Sequence, residues 1–365
     1  MKISLITMHA VYNYGSALQT YATITALQRM GHEVEVINYF PKRMRQYGTI
    51  KQIYRDALPF HSKWKCLVIA FAKYPSMREL KKVFVPFSST HFNMTRKYET
   101  NTELTTNVPI ADCYCTGSDQ VWNDYLEGEF DLAFFLNFAP EGSKRVALAA
   151  SFGRDDISQD ELLPVKKLLN RYSAISVREE SGVEILKDVQ IPIKECVLDP
   201  TFLLSFDDWT KFAVPIPETG YILVYQLHED SIASEAAIAI GKRLNKQVIR
   251  ISTDRLKRIR GGKTVFFPKV EEFVSYIFNA DLIVTDSFHA TAFSIILKKQ
   301  FVSIEWKMFN DRIQTILRKT KLSDRSVGSV EEAVNISSKK IEFSEASRLI
   351  EIEKEKLQEF IITAF

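Results

Sequence analysis

The chain has 365 residues, of which 46% are hydrophobic and 25% charged, and its net charge is +3, so the length predicts two domains of an ordinary globular protein. No run of about 18 uncharged apolar residues occurs, which excludes a membrane-spanning helix, and the N-terminus lacks the pattern of a signal peptide. Four cysteines without metal-ligand spacing complete this picture, and we expect a reducing, cytoplasmic location.

The first half of the chain alternates strand-like and helix-like patterns. Apolar spacing predicts a helix from Gly15 to Met30, and Gly31 is suited to cap its C-terminus. Cys113 and Cys115 share one face of a strand, so both are expected to be buried thiols. The predicted strands are Lys2–Met8, Glu33–Tyr39, Ala111–Thr116, Arg145–Ser151, Ala174–Val177 and Glu195–Leu198.

The second half repeats this alternation. Its predicted strands are Tyr221–Gln226, Gln247–Ile251, Thr264–Phe267, Asp281–Thr285 and Phe301–Ile304. Its predicted helices are Ser231–Leu244, Val270–Phe278, His289–Lys298 and Asp311–Lys319. Such alternation implies mainly parallel sheets that are covered by helices on both faces.

We therefore predict an α/β protein of two Rossmann-like domains that face a cleft. The N-terminal domain spans 1–212, the C-terminal domain spans 221–340, and Ala213–Gly220 looks like the linker. The remaining segment, 341–365, contains a charged helix that is expected to cross back to the N-terminal domain.

Basic residues are concentrated in an insertion at 41–106. Between Pro41 and Lys82, eleven Lys or Arg stand against Asp56 and Glu79, a local charge of +9, which leaves 3 − 9 = −6 for the rest. This stretch includes the apolar "SKWKCLVIAFAKY". One interpretation is a solvated basic face over an ordinary core helix, and the other is contact with an anionic membrane or a lipid phosphate. Nucleic acid is disfavoured because no recognition motif accompanies the charge.

Polar segments follow six predicted strands, at the edge where ligands bind in open α/β sheets. They bring together small polar, acidic, imidazole and guanidinium groups, a set that a core does not need, so we predict a ligand site. Its candidate residues, in chain order, are Asn13, Gly15, Ser16, Gln19, Gly117, Ser118, Asp119, Ser151, Arg178, Ser287, His289, Lys307 and Arg312.

Three of these residues also have structural interpretations. His289 could be a packed histidine at a helix start, although its place after Asp286 and Ser287 in a converging site favours function. Arg178 could pair with a neighbouring glutamate, but arginine at a strand end suits a carboxylate or phosphate. Asp119 could be a turn or N-cap aspartate. No HExxH, Walker-type, GxSxG or GxGxxG motif is present, and no metal site is expected.

Six motifs occur in a fixed order over roughly residues 1 to 320: "NYGSALQTYA", "TGSDQVWN", "AASFG", "SVREESG", "VLDPTFLL" and "DSFHATAFSIILKKQFVSI". By these motifs the chain resembles the polysaccharide pyruvyl transferase family. The resemblance implies a GT-B-like fold of two domains. It also implies transfer of pyruvate from phosphoenolpyruvate onto two hydroxyls of a sugar, which forms a cyclic ketal on a cell-surface saccharide.

The resemblance also suggests roles for the candidate residues. His289 would protonate the donor, and Asp119 or Asn13 would orient or deprotonate the sugar hydroxyls. Family members often carry Arg or Ser two residues before the histidine. This chain has Ser287 there, so Arg178, Lys307 or Arg312 would have to hold the anionic donor. No cofactor is expected besides phosphoenolpyruvate as donor, and the acceptor would be a lipid-linked saccharide at the inner face of the plasma membrane.

Two alternatives remain open from the sequence. A nucleotide-sugar glycosyltransferase of the same shape would need a ribose-binding group in its second half, for which Glu305 is the one candidate. A non-catalytic saccharide-binding protein of a polysaccharide assembly cluster would keep saccharide affinity without turnover.

Overall fold

The computed structural model describes residues 1–41, 49–59, 61–123, 130–191, 195–228, 231–306 and 311–365. The strands of its first half are β1 (Lys2–Ile6), β2 (Glu33–Val36), β3 (Cys113–Thr116), β4 (Lys144–Ala150), β5 (Ala174–Val177) and β6 (Glu195–Cys196). The helices are α1 (Tyr14–Arg29), α2 (Ile50–Ala57), α3 (Lys63–His91), α4 (Asn101–Thr106), α5 (Gln159–Leu169), α6 (Glu180–Asp188) and α7 (Phe206–Phe212). Short 3₁₀ helices lie at Leu132–Phe135 and Pro200–Leu203.

The second half continues with strands β7 (Tyr221–Tyr225), β8 (Val248–Ser252), β9 (Lys263–Phe266), β10 (Ala280–Thr285), β11 (Gln300–Ile304) and β12 (Ser326–Val327). Its helices are α8 (Ile232–Leu244), α9 (Val270–Asn279), α10 (Phe288–Ile296), α11 (Asp311–Lys319), α12 (Val330–Ile336) and α13 (Phe343–Ala364). A 3₁₀ turn at Ser323–Arg325 precedes β12.

Each half contains a parallel sheet, and this confirms the predicted fold class. The strand order is β2-β1-β3-β4-β5-β6 in the first sheet and β12-β11-β10-β7-β8-β9 in the second. Neighbouring strands pair in parallel throughout both sheets. Helices cover the faces because every parallel connection needs a crossover. Cys113 and Cys115 are buried free thiols as predicted, and burial raises the pKa of Cys113 to about 12.

Local sequence explains why α1 begins and ends where it does. The Asn13 side chain caps its first turn, and the chain leaves its last turn through Gly31, which adopts a φ of +85°. A side chain is disfavoured at that φ, so the predicted glycine cap is confirmed. The first turn of the helix faces α9 and α10 of the second half, so α1 lies between the two halves.

One apolar cluster runs through both halves. The Tyr14 ring of α1 stacks on Phe273 of α9 with centroids 4.4 Å apart, and Trp209 of α7 meets Phe293 of α10 at 4.7 Å. The last helix also returns toward the first sheet, since Lys144 Nζ donates a hydrogen bond to the backbone oxygen of Phe365. The boundaries at 212, 221 and 340 remain predictions.

Most of the described part of the basic insertion is helical, and Met94 and Tyr98 form isolated β-bridges to Val36 and Tyr39. α2 packs on the 29-residue α3, which contains Pro75 and Pro86. In the described ranges, no helix combines the length and the apolar character needed to cross a bilayer.

Candidate active site

The site lies where the strand order reverses in both sheets. The reversal falls between β1 and β3 in the first sheet and between β7 and β10 in the second. Ligands of open α/β sheets bind at such points, beyond the carboxyl ends of the strands. The loops after β1, β3 and β10 meet there and bring Ser16, Asp119 and His289 into one cluster.

Asn13 acts as the N-cap of α1. Its Oδ1 accepts hydrogen bonds from the backbone N–H groups of Gly15, at 2.8 Å, and Ser16, at 3.4 Å. The sequence suggested that Asn13 orients sugar hydroxyls, but the structure engages its carbonyl oxygen in capping instead. Its contribution is to fix the position of the first turn.

Gly15 lies directly against the His289 imidazole. A Cβ built at Gly15 would be 2.0 Å from His289 Nδ1, so the ring occupies the space that any side chain would need. This contact joins the first loop of the N-terminal half to α10 of the other half. Glycine is therefore required here by close approach rather than by backbone conformation.

Asp119 follows β3 with an unusual backbone conformation. Its φ is +85°, a region that non-glycine residues rarely adopt and that is often associated with function. Its carboxylate accepts hydrogen bonds from the Gln120 N–H, at 2.9 Å, and from the Ser16 hydroxyl. Burial alone would raise the pKa of Asp119, but Arg178, His289 and Ser16 outweigh it and hold the pKa below its ordinary value.

Arg178 is a buried counter-ion for three carboxylates. Its Nη1 lies 3.0 Å from Asp199, its Nη2 lies 3.3 Å from Asp119, and its Nε lies 3.7 Å from Glu179. The guanidinium also lies over the ring of Phe288, 4.9 Å from the centroid. Burial opposes its charge, but the carboxylates prevail and raise the pKa of Arg178. The alternative pairing with a neighbouring glutamate is therefore present with Glu179, but as part of a buried network, and donor binding by Arg178 remains a prediction.

Asp199 is the residue that sequence reasoning missed. Its Oδ1 accepts hydrogen bonds from the N–H and hydroxyl of Thr201, at 3.0 and 2.8 Å. Its Oδ2 lies 3.1 Å from Ser118 Oγ and 3.7 Å from His289 Nε2. Burial would raise the pKa of Asp199, but His289, Arg178 and Thr201 hold it well below its ordinary value. The available signal was the Asp-Pro pair in "VLDPTFLL", just after a predicted strand.

His289 lies in the first turn of α10, where Ser287 Oγ accepts a hydrogen bond from Ala290 N at 3.4 Å. The residue is only 8% exposed, and its Nε2 has no hydrogen-bond partner in the described part of the chain. The 3.7 Å separation from Asp199 is an ion-pair distance, too long for a hydrogen bond. A buried imidazole with a free Nε2 beside a carboxylate can donate a proton to a bound molecule.

Arg312 supplies a second guanidinium at the start of α11. When the Gln120 amide oxygen faces it, that oxygen accepts hydrogen bonds from Nη2 at 2.7 Å and Nη1 at 2.9 Å. Among the described residues, no carboxylate is within ion-pair distance of Arg312, unlike Arg178. Burial and the charge of Arg178 lower the pKa of Arg312 to about 10.

The remaining candidates lie beneath the cluster or outside the described ranges. The fully buried Gln19 amide donates a hydrogen bond to Thr7 Oγ1 at 2.9 Å, and Gly117 packs against Leu5. Both residues therefore lie beneath the cluster, whereas the sequence had placed them at the ligand. Ser151 is also fully buried and accepts a hydrogen bond from Gly153 N. Lys307 falls within 307–310, outside the described residues.

The second half holds a separate polar group around Asp286. Its carboxylate accepts hydrogen bonds from Leu227 N and His228 N, at 2.7 and 2.9 Å, which positions the loop after β7. Glu305, the ribose candidate, accepts from Gln314 and Ser326 at an exposed edge. Within the described ranges, no three His, Cys, Asp or Glu side chains are arranged to share a metal ion.

In overall fold the chain is similar to solved UDP-GlcNAc 2-epimerases. The enzyme of Neisseria meningitidis, solved with UDP-GlcNAc bound, matches with a TM-score of 0.56 at 11% identity and 100% coverage of both chains. The putative enzyme of Listeria monocytogenes matches at 0.52 and 9% identity, over 98% of this chain and 90% of that one. The enzyme of Methanocaldococcus jannaschii matches at 0.51 and 14% identity, over 96% and 99%. At these identities the likeness shows the GT-B fold alone.

No curated protein matches the chain. The family model for polysaccharide pyruvyl transferase, however, matches residues 13–308. That match spans most of the sequence and contains Asp119, Arg178, Asp199 and His289. The chain therefore belongs to the polysaccharide pyruvyl transferase family.

Proposed function

We propose that this transferase moves the pyruvyl group of phosphoenolpyruvate onto two hydroxyls of a sugar in a polysaccharide precursor. The products are a cyclic pyruvate ketal and inorganic phosphate. The observation that carries the proposal is the His289 imidazole, whose Nε2 is buried, unpartnered and next to the Asp199 carboxylate. Family membership supports the class of reaction, and the side chains around His289 supply its chemistry.

The proposed reaction begins with proton transfer from His289 Nε2 to the methylene carbon of the donor. The donor's central carbon then becomes electrophilic, and a sugar hydroxyl attacks it and loses its proton. Phosphate leaves with the electrons of the C–O bond, and the second hydroxyl closes the ring and gives its proton to the neutral His289 imidazole, which restores the starting state. Asp199 stabilises the imidazolium before transfer, and Asp119 with the Ser16 hydroxyl is placed to receive a hydroxyl proton.

Donor binding requires groups for a carboxylate and a phosphate. Arg312 is the guanidinium that carboxylates leave available, and the first turn of α10 adds the positive end of a helix. The family often has Arg or Ser at the position of Ser287, so in this chain Arg312 would supply the charge from another element. His289 and Asp119 are each less than a tenth exposed, so we expect the segments around them to move when a substrate enters.

The acceptor is proposed to be a lipid-linked saccharide. An open pocket between α3 and the segments after β8 and β9 offers three cations and two aromatic rings. It is lined by Glu79, Lys82, Val83, Arg255, Arg258, Phe266 and Phe267. Phe84, which follows the pocket residue Val83 in α3, packs on Tyr14 with ring centroids 5.1 Å apart, and Tyr14 precedes Gly15. We propose that this pocket holds the phosphates of the acceptor while its sugar reaches His289.

The test measures phosphate release from phosphoenolpyruvate with lipid-linked galactosides and N-acetylmannosaminides as acceptors. Mass spectrometry should find a pyruvyl group on the acceptor, and His289→Gln should abolish the gain. Release of a nucleoside diphosphate from sugar nucleotides, without phosphate release, would instead favour a glycosyltransferase. Saccharide binding with no turnover of either donor would indicate a non-catalytic saccharide-binding protein. Both results overturn the proposal.

A further inference from the structure

The first two turns of α3 carry an exposed apolar stripe. Its residues are Trp64, Leu67, Val68 and Phe71, whose exposed fractions are 74%, 37%, 55% and 58%. Residues at spacings of three, four and seven lie on one face of a helix. The stripe is therefore a continuous apolar surface about two turns long, which a protein in water does not normally leave bare.

The stripe lies away from the core. Cys66 and Ala70 of the same turns are fully buried, and at 100° per residue they lie roughly 100–160° around α3 from Trp64 and Phe71. The helix packs on α2, and Leu80 further along joins the main apolar cluster. The stripe is thus not a misplaced part of the core, and it is free to contact another surface.

The charge around the stripe indicates what that surface is. Within the described residues 49–82, eight Lys or Arg and two acidic residues give a charge of 8 − 2 = +6. Lys63 and Lys65 are exposed in the same turn as Trp64. A second copy of the chain would bring a like-charged surface against this one, whereas an anionic lipid headgroup layer complements it.

We propose that α3 binds the surface of a bilayer rich in anionic phospholipids, with the stripe inserted among the headgroups and the lysines at the phosphates. Interfacial helices of this kind lie in the membrane plane and bury their apolar face about 5–10 Å deep. The proposal concerns an interaction surface, so it holds whatever reaction the site catalyses. Its position on α3, the helix that also lines the acceptor pocket, would bring a lipid-linked molecule to the site.

Vesicle flotation tests the proposal on the full chain. Vesicles of phosphatidylcholine with 30–40% phosphatidylglycerol (about the anionic share that gives a strong surface potential) should carry the protein at low salt. Pure phosphatidylcholine should not. Binding should fall as salt approaches about 0.5 M, because screening then confines each charge to a few ångströms. Brominated lipids should quench Trp64, because Trp122 and Trp209 are fully buried. Trp306 is partly exposed, so the measurement is the share of quenching that Trp64→Phe removes.

Two sets of variants separate the apolar and the charged contributions. Trp64→Ser with Phe71→Ser should lower the partition coefficient by about tenfold or more per residue, as the lost burial of each ring predicts. Lys63→Glu, Lys65→Glu and Lys73→Glu together should lower it at least about a hundredfold, at roughly fivefold per basic residue.

Matched controls are available elsewhere on the surface. Ile110→Ser removes an apolar side chain that is 87% exposed before β3. Lys242→Glu, Lys339→Glu and Lys340→Glu make the same charge change on exposed residues of the second half. Both should bind vesicles as the wild type does.

Three outcomes would overturn the proposal. The first is equal binding to neutral and anionic vesicles. The second is stripe variants that bind as well as the Ile110→Ser control. The third is no vesicle binding together with a concentration-dependent dimer that the stripe variants lose, which would make this face an interface between copies. Saccharide chemistry is not measured, so failure of the proposed reaction would not affect the result.

Discussion

Replacing Arg178 with methionine removes the cation that balances the buried acidic cluster. Methionine fills a similar volume, so the change is mainly electrostatic. Asp199, Asp119 and Glu179 would stay in place at what were 3.0, 3.3 and 3.7 Å from the guanidinium. The three carboxylates would then lie in a water-poor region with no ion-pair partner from β5 or its following loop.

The expected cost follows from the burial. Removing one partner of a buried ion pair typically destabilises a protein by about 3–5 kcal/mol. For 365 residues, the usual unfolding entropy of about 2.1 cal/mol/K per residue converts this into a fall in Tm of about 4–7 °C. Arg318→Met is the matched control, because Arg318 is half exposed and pairs with Glu180 and Asp311 at the surface. Exposed pairs are worth about 0–1 kcal/mol, so the control should lose about 1 °C or less.

Thermal unfolding at pH 7 and pH 5 measures both variants. The pKa values of Asp119 and Asp199 are depressed in the wild type, so their contribution is present above the ordinary carboxyl pKa and is not lost in this range. Without Arg178, burial raises the pKa values of the three carboxyl groups. Protonation of these groups at pH 5 then removes part of the cost of burying unpaired charges in the variant. The gap in Tm between wild type and Arg178→Met should therefore narrow from pH 7 to pH 5. A loss no larger than that of Arg318→Met, or a gap that does not depend on pH, would refute the counter-ion role.

Three further predictions concern the reaction itself. His289→Gln should lower kcat by about a hundredfold in a phosphate-release assay, the usual scale for a positioned acid, and unchanged kcat would remove His289 from that role. Gly15→Ala should displace the His289 imidazole, because the new Cβ would lie 2.0 Å from Nδ1, and it should therefore lower kcat. The same overpacking should lower the free energy of unfolding by about 1–3 kcal/mol. Gly328→Ala, whose Cβ would meet only Glu332 at 3.9 Å, should change neither. Arg312→Gln should raise the KM for phosphoenolpyruvate by about tens of fold, with a charge-assisted bond lost, and leave the saccharide KM unchanged. A shift in the saccharide KM instead would assign Arg312 to the acceptor.

The convergence of polar loops could be predicted from the sequence because it follows from topology. In parallel sheets the carboxyl ends of the strands share an edge, so Asp119 after β3 and Arg178 after β5 meet although 59 positions separate them. Asp199 was missed because its role depends on tertiary contact. An Asp-Pro pair after a strand predicts a turn, and only the fold reveals that the same carboxylate approaches Arg178 and His289.

The length of helix α3 could not be predicted from the sequence, for a different reason. Pro75 and Pro86 both fall inside it, and proline normally ends or kinks a helix by removing a backbone donor. Period-based reasoning therefore divides the segment into short pieces. Buried residues on both sides of Pro75, such as Ala70 and Leu80, keep the helix on the protein surface and offset the missing hydrogen bond.

Charge balance links the buried network to the proposed donor. Arg178 pairs with the carboxylates of Asp119, Asp199 and Glu179, and the charge of Arg312 also acts on them from beyond ion-pair distance. Burial raises the pKa of Glu179, whereas the surrounding cations hold the pKa values of Asp119 and Asp199 below their ordinary values. The carboxylates of Asp119 and Asp199 would repel a trianionic donor, and Arg312 and the α10 N-terminus would offset that repulsion. Arg178 thus acts on the reaction by keeping those carboxylates ionised and fixed in position.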